Sequence, residues 1–212
     1  MSDTQDGPGE AFAPSGAPRK RPKPGERRAQ ILQALAAMLE QPGAERITTA
    51  ALAARLSVSE AALYRHFASK AQMFEALIDF IEHNVFLLAN QIVERDGGEG
   101  GASQAGRIVA LVLRFAERNP GMARVLVGDA LALEHARLQQ RVNQFFDRIE
   151  SLLRQCLRAA AAQTGSATPS ADAQVRAEVL VCFTQGRLQR YVRSDFRHSP
   201  VEHLPQALAC ML

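Results

Sequence analysis

Thr48, Thr49, Ser59, Tyr64, Arg65, His66 and Lys70 fall within one short stretch of the chain. Their types suit a phosphate backbone. Hydroxyls at helix starts bond phosphate oxygens alongside backbone N–H groups, a lysine neutralises one charge, an aromatic hydroxyl reaches the edge of the backbone, and an arginine reads base edges in a major groove. No comparable set for catalysis is present. The five histidines, His66, His83, His135, His198 and His203, form no HExxH pattern, no serine lies in a GxSxG turn, and no glycine-rich loop follows a strand. The chain is expected to be no enzyme and to need neither a metal nor a cofactor.

Such groups act only if helices present them. In ITTAALAARL, Thr48 or Thr49 is placed to cap a short helix whose face of Ala50, Leu52, Ala53 and Leu56 allows close packing. A turn at Ser57-Val58 follows, and then Ser59 caps a second short helix, with Glu60 at the positive end of its dipole and Ala62, Leu63 and Phe67 turned inward. Before this pair, Ile31, Leu35, Met38 and Leu39 predict a helix over about 25–40, closed by Pro42-Gly43. After it, Ser69-Lys70-Ala71-Gln72 has capping-box spacing and opens a long helix through Met73, Leu77, Ile81 and Val85 towards Arg95. Together these make a helix-turn-helix.

Charge follows the same division. The chain carries a formal net charge of +3, but 19–70 holds ten Lys or Arg against four Asp or Glu, whereas 71–212 holds fifteen of each. A potential concentrated at one end attracts a polyanion there. Residues 1–18 are rich in Gly, Pro, Ala and Asp and read as a disordered tail, leading into a basic arm of Arg19, Lys20, Arg21, Lys23, Arg27 and Arg28.

The remainder reads as helical with its own core. Asp96 to Ser103 ends the long helix, with Gly97 to Gly101 a linker by composition; Ile108, Leu111, Val112 and Phe115 mark an amphipathic helix, and Asn119-Pro120 reads as a cap and first helical residue. Two seams follow: Leu138, Val142, Phe145, Ile149, Leu152 and Cys156, and then Val175, Val179, Cys182 and Gly186. Both are expected to pack against a second copy in a four-helix arrangement. The three cysteines lack CxxC spacing and are expected to be buried. With no signal-peptide order and no long apolar run, a cytoplasmic protein without membrane attachment is expected. The domains expected are a tail and arm over 1–23, a DNA-binding unit over 24–70 and a helical dimerisation and partner-binding unit over 71–212, giving an all-α fold.

The segment VSEAALYRHFASK resembles the recognition helix and following helix start of tetracycline-repressor-like regulators. Adding RRAQILQALAAMLEQ, ERITTAALAARLSVSEAALYRHF, MFEALIDFIE, FAERNPGMARVLVGDAL and RLQQRVNQFFDRIE narrows the resemblance to the branch of that family acting in nucleoid occlusion. The resemblance implies a homodimer on palindromic sites in double-stranded DNA, associated with the nucleoid, that inhibits polymerisation of the division protein FtsZ and so septation. It also implies a groove between the fourth and fifth helices for the FtsZ tail, which by position points to Phe80, Leu111, Arg118 and Asn119. Leu88 stands where that pattern has a basic residue, and Arg114 where it has a small one. The rival reading is a ligand-responsive repressor, which needs convergent polar groups in an apolar cavity. His83 and His135 are the candidates for that role, although exposed or core positions are expected for them.

Overall fold

The computed structural model describes residues 25–41, 47–95 and 100–212. The tail and Arg19, Lys20, Arg21 and Lys23 lie outside them, as does Pro42-Gly43. The described residues fold into α1 (Glu26–Leu39), α2 (Thr49–Arg55), α3 (Glu60–Tyr64), α4 (Lys70–Glu94), α5 (Gly100–Arg118), α6 (Pro120–Leu126), a 3-10 turn (Asp129–Leu131), α7 (Ala136–Gln163), α8 (Pro169–Arg193) and α9 (Leu204–Ala209). No strand occurs among them, and the all-α expectation holds.

The helix starts follow local chemistry. Thr48 accepts from the Ala51 N–H at 3.1 Å, Ser59 from Ala62 at 3.3 Å and Ser69 from Gln72 at 3.2 Å, so three serines and threonines satisfy donors that would otherwise be orphaned. The reciprocal half of the capping box is displaced by one residue, because Gln72 Oε1 accepts from Ala68 N–H at 2.9 Å rather than from Ser69. Between α2 and α3 the chain turns at Ser57 with φ 54, and Val58 N–H bonds back to the Ala53 carbonyl at 3.0 Å. Ser57 therefore holds a left-handed conformation at a cost that this closure offsets.

One continuous core joins α1, α2 and α3 to the rest, with Leu35, Leu39, Leu63, Phe67, Met73, Ile108, Val112 and Phe145 among its buried members. Two glycines set its closest approaches. A Cβ on Gly121 would lie 2.1 Å from the Ala36 carbonyl oxygen, which brings α6 onto the backbone of α1. A Cβ on Gly101 would lie 1.9 Å from the Cys156 carbonyl oxygen, which seats the start of α5 on α7. This corrects the linker reading of Gly97 to Gly101 at its end: residues 96–99 lie outside the described residues, but Gly100 and Gly101 open the first turn of α5, and Gly101 is there because two helices touch.

The two seams behave differently. On α7, Leu138, Val142, Phe145, Ile149 and Cys156 are buried within the chain, and Leu152 is half-buried. A seam at helical spacing looks the same whether its partner is intrachain or not, and here α5 and α8 cover it. On α8, Val175 and Val179 remain 60% and 48% exposed, and Cys182 and Gly186 beside them are exposed too. Only the second seam leaves a face for another copy. Cysteine burial is corrected likewise: Cys156 is buried, whereas Cys182 and Cys210 are exposed. At 25 residues, α4 is long and apolar enough to cross a bilayer by length and composition, but its Met73, Phe74, Leu77, Ile78, Ile81 and Val85 face the core.

Candidate nucleic-acid interface and partner groove

The outer face of α2 and α3 carries the candidate phosphate-binding groups. Tyr64 is 46% exposed, far more than a packed aromatic needs to be, and Thr48, Ser59 and Arg65 are exposed beside it. A polar chain crosses from one helix to the other: the Tyr64 hydroxyl donates to Thr49 Oγ1 at 3.5 Å, and Thr49 donates to Glu60 Oε2 at 2.6 Å. The two helices are thus locked in register by the same groups that meet solvent. Beneath them, Leu52, Ala53, Leu63 and Phe67 form the buried face.

Two cations have partners that local reading did not foresee. Arg28, counted with the basic arm and falling within the expected first helix, lies in α1, donates to the His66 carbonyl at 2.6 Å, and places its guanidinium 4.1 Å from the centre of the Phe67 ring. It anchors the end of the reading helix. Lys70 donates to Glu134, just ahead of α7, rather than standing in open solvent. Its charge is already compensated in the free protein. His66 is half-buried, and its carbonyl is the group that holds Arg28.

The second site is a groove whose floor is α5. Gln104 Nε2 donates to the Ile92 and Val93 carbonyls at 3.5 and 3.3 Å, so α4 ends where α5 begins and the two run antiparallel. Leu88, Leu111, Arg114, Phe115, Arg118 and Asn119 line a hollow of about 780 Å³, with Arg95 and Arg107 further along and no Asp or Glu in its lining. Phe80, Leu87 and Leu88 on α4 are 46%, 51% and 44% exposed, more large apolar surface than one helix normally leaves in water. Of the four predicted groove residues, Leu111, Arg118 and Asn119 line this hollow; Phe80 lies outside its lining, two turns before Leu88 on α4 and so towards the Arg118 end. Asn119 does not cap α6 with its side chain, because Nδ2 turns back to the Phe115 carbonyl at 2.7 Å.

The groove's other wall was not legible beforehand. Val201, Leu204, Pro205 and Leu208 close it from the side opposite α4. This segment is pinned where Ser199 donates to Glu117 and where Leu212 and Leu208 would lie 3.1 and 3.7 Å from a Cβ on Gly106. The apolar spacing Leu204, Leu208 and Leu212 was the available signal. The histidines raised for a ligand pocket are both exposed. His135 caps α7 by accepting from Arg137 N–H at 3.2 Å, and His83 lies in an open hollow beside Asp79, Glu82 and Arg148.

A small helix-turn-helix on a larger helical body with a free helix face defines a regulator of the tetracycline-repressor class. A family model described as "Bacterial regulatory proteins, tetR family" matches residues 31–77, and "SlmA-like_C: Tetracyclin repressor-like, C-terminal domain" matches 103–211. The nucleoid occlusion factor SlmA of a Marinomonas species is 50% identical over 87% of this chain and 92% of its own. That of Photobacterium profundum is 49% identical over 88% and 95%. The chain belongs to the SlmA family of nucleoid occlusion factors. The fold is also that of the fatty acid degradation regulator FadR from Bacillus halodurans, at TM-score 0.70 and 14% identity over 90% of this chain and 96% of that one. A TetR-like transcriptional regulator from a Rhodococcus species gives TM-score 0.68 at 21% identity over 90% and 97%.

Proposed function

We propose that this chain is a homodimeric, nucleoid-associated cytoplasmic protein that binds palindromic sites in duplex DNA and, from there, inhibits FtsZ polymerisation and septum formation. Residues 24–70 serve as the reading head, with 1–23 as the tail and basic arm and 71–212 as the dimerisation and partner-binding unit. Thr48, Thr49, Ser59, Tyr64 and Arg65 meet the duplex directly, His66 supports them, and Lys70 exchanges Glu134 for phosphate. The exposed stripe of Val175, Val179, Cys182 and Gly186 supports packing of α8 against α8 of a second copy, which gives the two heads that a palindrome requires.

The observation carrying the division role is the groove: exposed Leu88 and half-buried Leu111 and Phe115 beside Arg114 and Arg118, with no carboxylate in the lining. A peptide tail combining apolar residues with negative charge would satisfy both features at once. Arg114 and Arg118 have no ion-pair partner among the described residues, so they meet an incoming carboxylate without first losing one. Leu88 and Arg114 place apolar surface on α4 and charge on α5.

Arg118→Asp tests this reading. It should abolish inhibition of FtsZ assembly in a sedimentation assay while duplex binding stays within about twofold of wild type, since it lies outside the reading head. Loss of both activities together would make Arg118 structural, and retention of inhibition would move the partner elsewhere.

A further inference from the structure

The last turn of α8 and the residues after it form a cationic hollow that neither the reading head nor the groove includes. Arg190, Arg193, Arg197 and His198 line a volume of about 870 Å³ together with Ser194, and no Asp or Glu lines it. Several surface arginines of the helical body are held by carboxylates: Arg137 pairs with Glu75 at 2.7 Å and Arg141 with Asp79 at 2.8 Å, while Arg148 reaches Glu82 at 3.3 Å. The Arg190 and Arg193 side chains have no ion-pair or hydrogen-bond partner among the described residues. The helix dipole favours cations in a last turn, which accounts for Arg190 and Arg193 in part. It does not account for Arg197 and His198, which lie beyond the helix.

The chain after α8 is built to hold them there. Asp195 and Phe196 adopt successive left-handed conformations, with φ 48 and 64. Ser194 Oγ donates to the Tyr191 carbonyl at 2.8 Å and accepts from the His198 N–H at 3.0 Å, while Arg197 Nε donates to the Ser194 carbonyl at 2.9 Å. The Phe196 ring packs 5.1 Å from that of Tyr191. Asp195, the one nearby carboxylate in this turn, is directed to Arg124 of α6 at 3.4 Å, away from the hollow. The turn thus separates its negative charge from its positive ones.

This end of α8 also abuts the reading head. Arg124 ties it to α6, and α6 rests on α1 through Gly121. Gln189 shares a hollow with Gln139 of α7, whose start is bound to that of α4 through Arg137 and Glu75. The hollow begins at Gly186, the last member of the exposed α8 stripe, so in the proposed dimer the two hollows flank the two-fold axis on the side facing DNA.

We infer that Arg190, Arg193 and Arg197 form a second, sequence-independent phosphate contact that engages the duplex between the two reading heads. The inference rests on the proposed DNA-binding function and adds a surface to it. Arg190 and Arg193 lose no ion pair on meeting phosphate, Arg197 is oriented beside them by its bond to Ser194, and each phosphate neutralised releases condensed counterions.

The test is a salt titration of binding to a duplex of about three helical turns, enriched by selection on the wild-type chain, with sedimentation equilibrium run alongside. For Arg190→Gln/Arg193→Gln, the slope of log affinity against log salt should shrink by about 1.8 if each of two subunits loses one contact at about 0.9 per phosphate. Preference among sequences should not change, and Arg190→Lys/Arg193→Lys should restore the slope. Arg193→Gln alone, which breaks no hydrogen bond, should shrink it in the same direction if the double variant folds poorly. An unchanged slope in a folded, dimeric variant overturns the inference. A variant that becomes monomeric also overturns it, by making the cluster a subunit contact. Failure of the wild-type chain to bind any duplex would instead overturn the DNA-binding function itself.

Discussion

The reading head and the α4–α5 groove solve opposite problems. The head is polar outside and apolar beneath, and short capped helices are held in register by the Tyr64, Thr49 and Glu60 chain. The groove leaves apolar side chains in water and leaves Arg114 and Arg118 unpaired, a state that costs free energy until something covers it. A surface for a uniform polyanion needs many modest contacts, whereas a surface for a peptide tail needs an apolar channel with a few charges. In the function proposed above, the separation of the two along the molecule lets one chain hold both partners at once.

Glycine substitutions should break the two regions separately and with the largest effect. Gly121→Ala forces α6 off the Ala36 backbone and should cost about 3 kcal/mol in chemical denaturation, with DNA binding the activity chiefly lost. Gly101→Ala should cost a similar amount by separating α5 from α7, and there FtsZ inhibition should suffer first. Equal loss of both activities in either variant would show that head and groove form one mechanical unit.

A smaller effect sharpens the account of Lys70. Since Glu134 holds its ammonium group in the free protein, Glu134→Gln should raise duplex affinity by about two- to fivefold at low salt, the range of a partly exposed ion pair. Fluorescence anisotropy would measure it, and a decrease would mean that Glu134 positions Lys70 for phosphate.

The smallest effect lies in pH. Burial raises the Cys156 thiol above 9.0, and burial, then Glu117 and Glu40, raise the Tyr191 hydroxyl above 10.0. Both neutral forms are favoured in the fold, so the native state retains protons that the unfolded chain releases. Stability from these groups is present below about pH 9 and declines as pH rises through the folded values. Thermal unfolding scans should show that decline, and Cys156→Ala should make it shallower. An unchanged alkaline limb would remove Cys156 as a cause.

What the sequence disclosed follows from range. Caps at Thr48, Ser59 and Ser69 act within three residues, so the helix-turn-helix was legible from residue types alone. The α7 seam was not, because Leu138 to Cys156 would look identical facing α5 and α8 or a second chain. Gly101 read as linker because the atom that excludes a side chain there belongs to Cys156, far along the sequence. The groove residues Leu111 and Arg118 came through family resemblance, and their wall from Val201 to Leu208 came only from the fold. Lys70 and Arg28 illustrate the same limit: a cation's type was plain, but its partner was a long-range fact.

If the proposed dimer carries two independent surfaces, FtsZ sedimentation with and without bound duplex, run beside direct tail binding, separates them in wild type, Arg65→Glu and Arg118→Asp. Arg65→Glu should lose duplex binding and any stimulation by DNA while keeping the groove's own affinity for the FtsZ tail, and Arg118→Asp should keep the duplex and lose the tail. If either substitution abolishes both interactions in a folded dimer, or neither substitution alters its assigned partner, the two-surface account is contradicted.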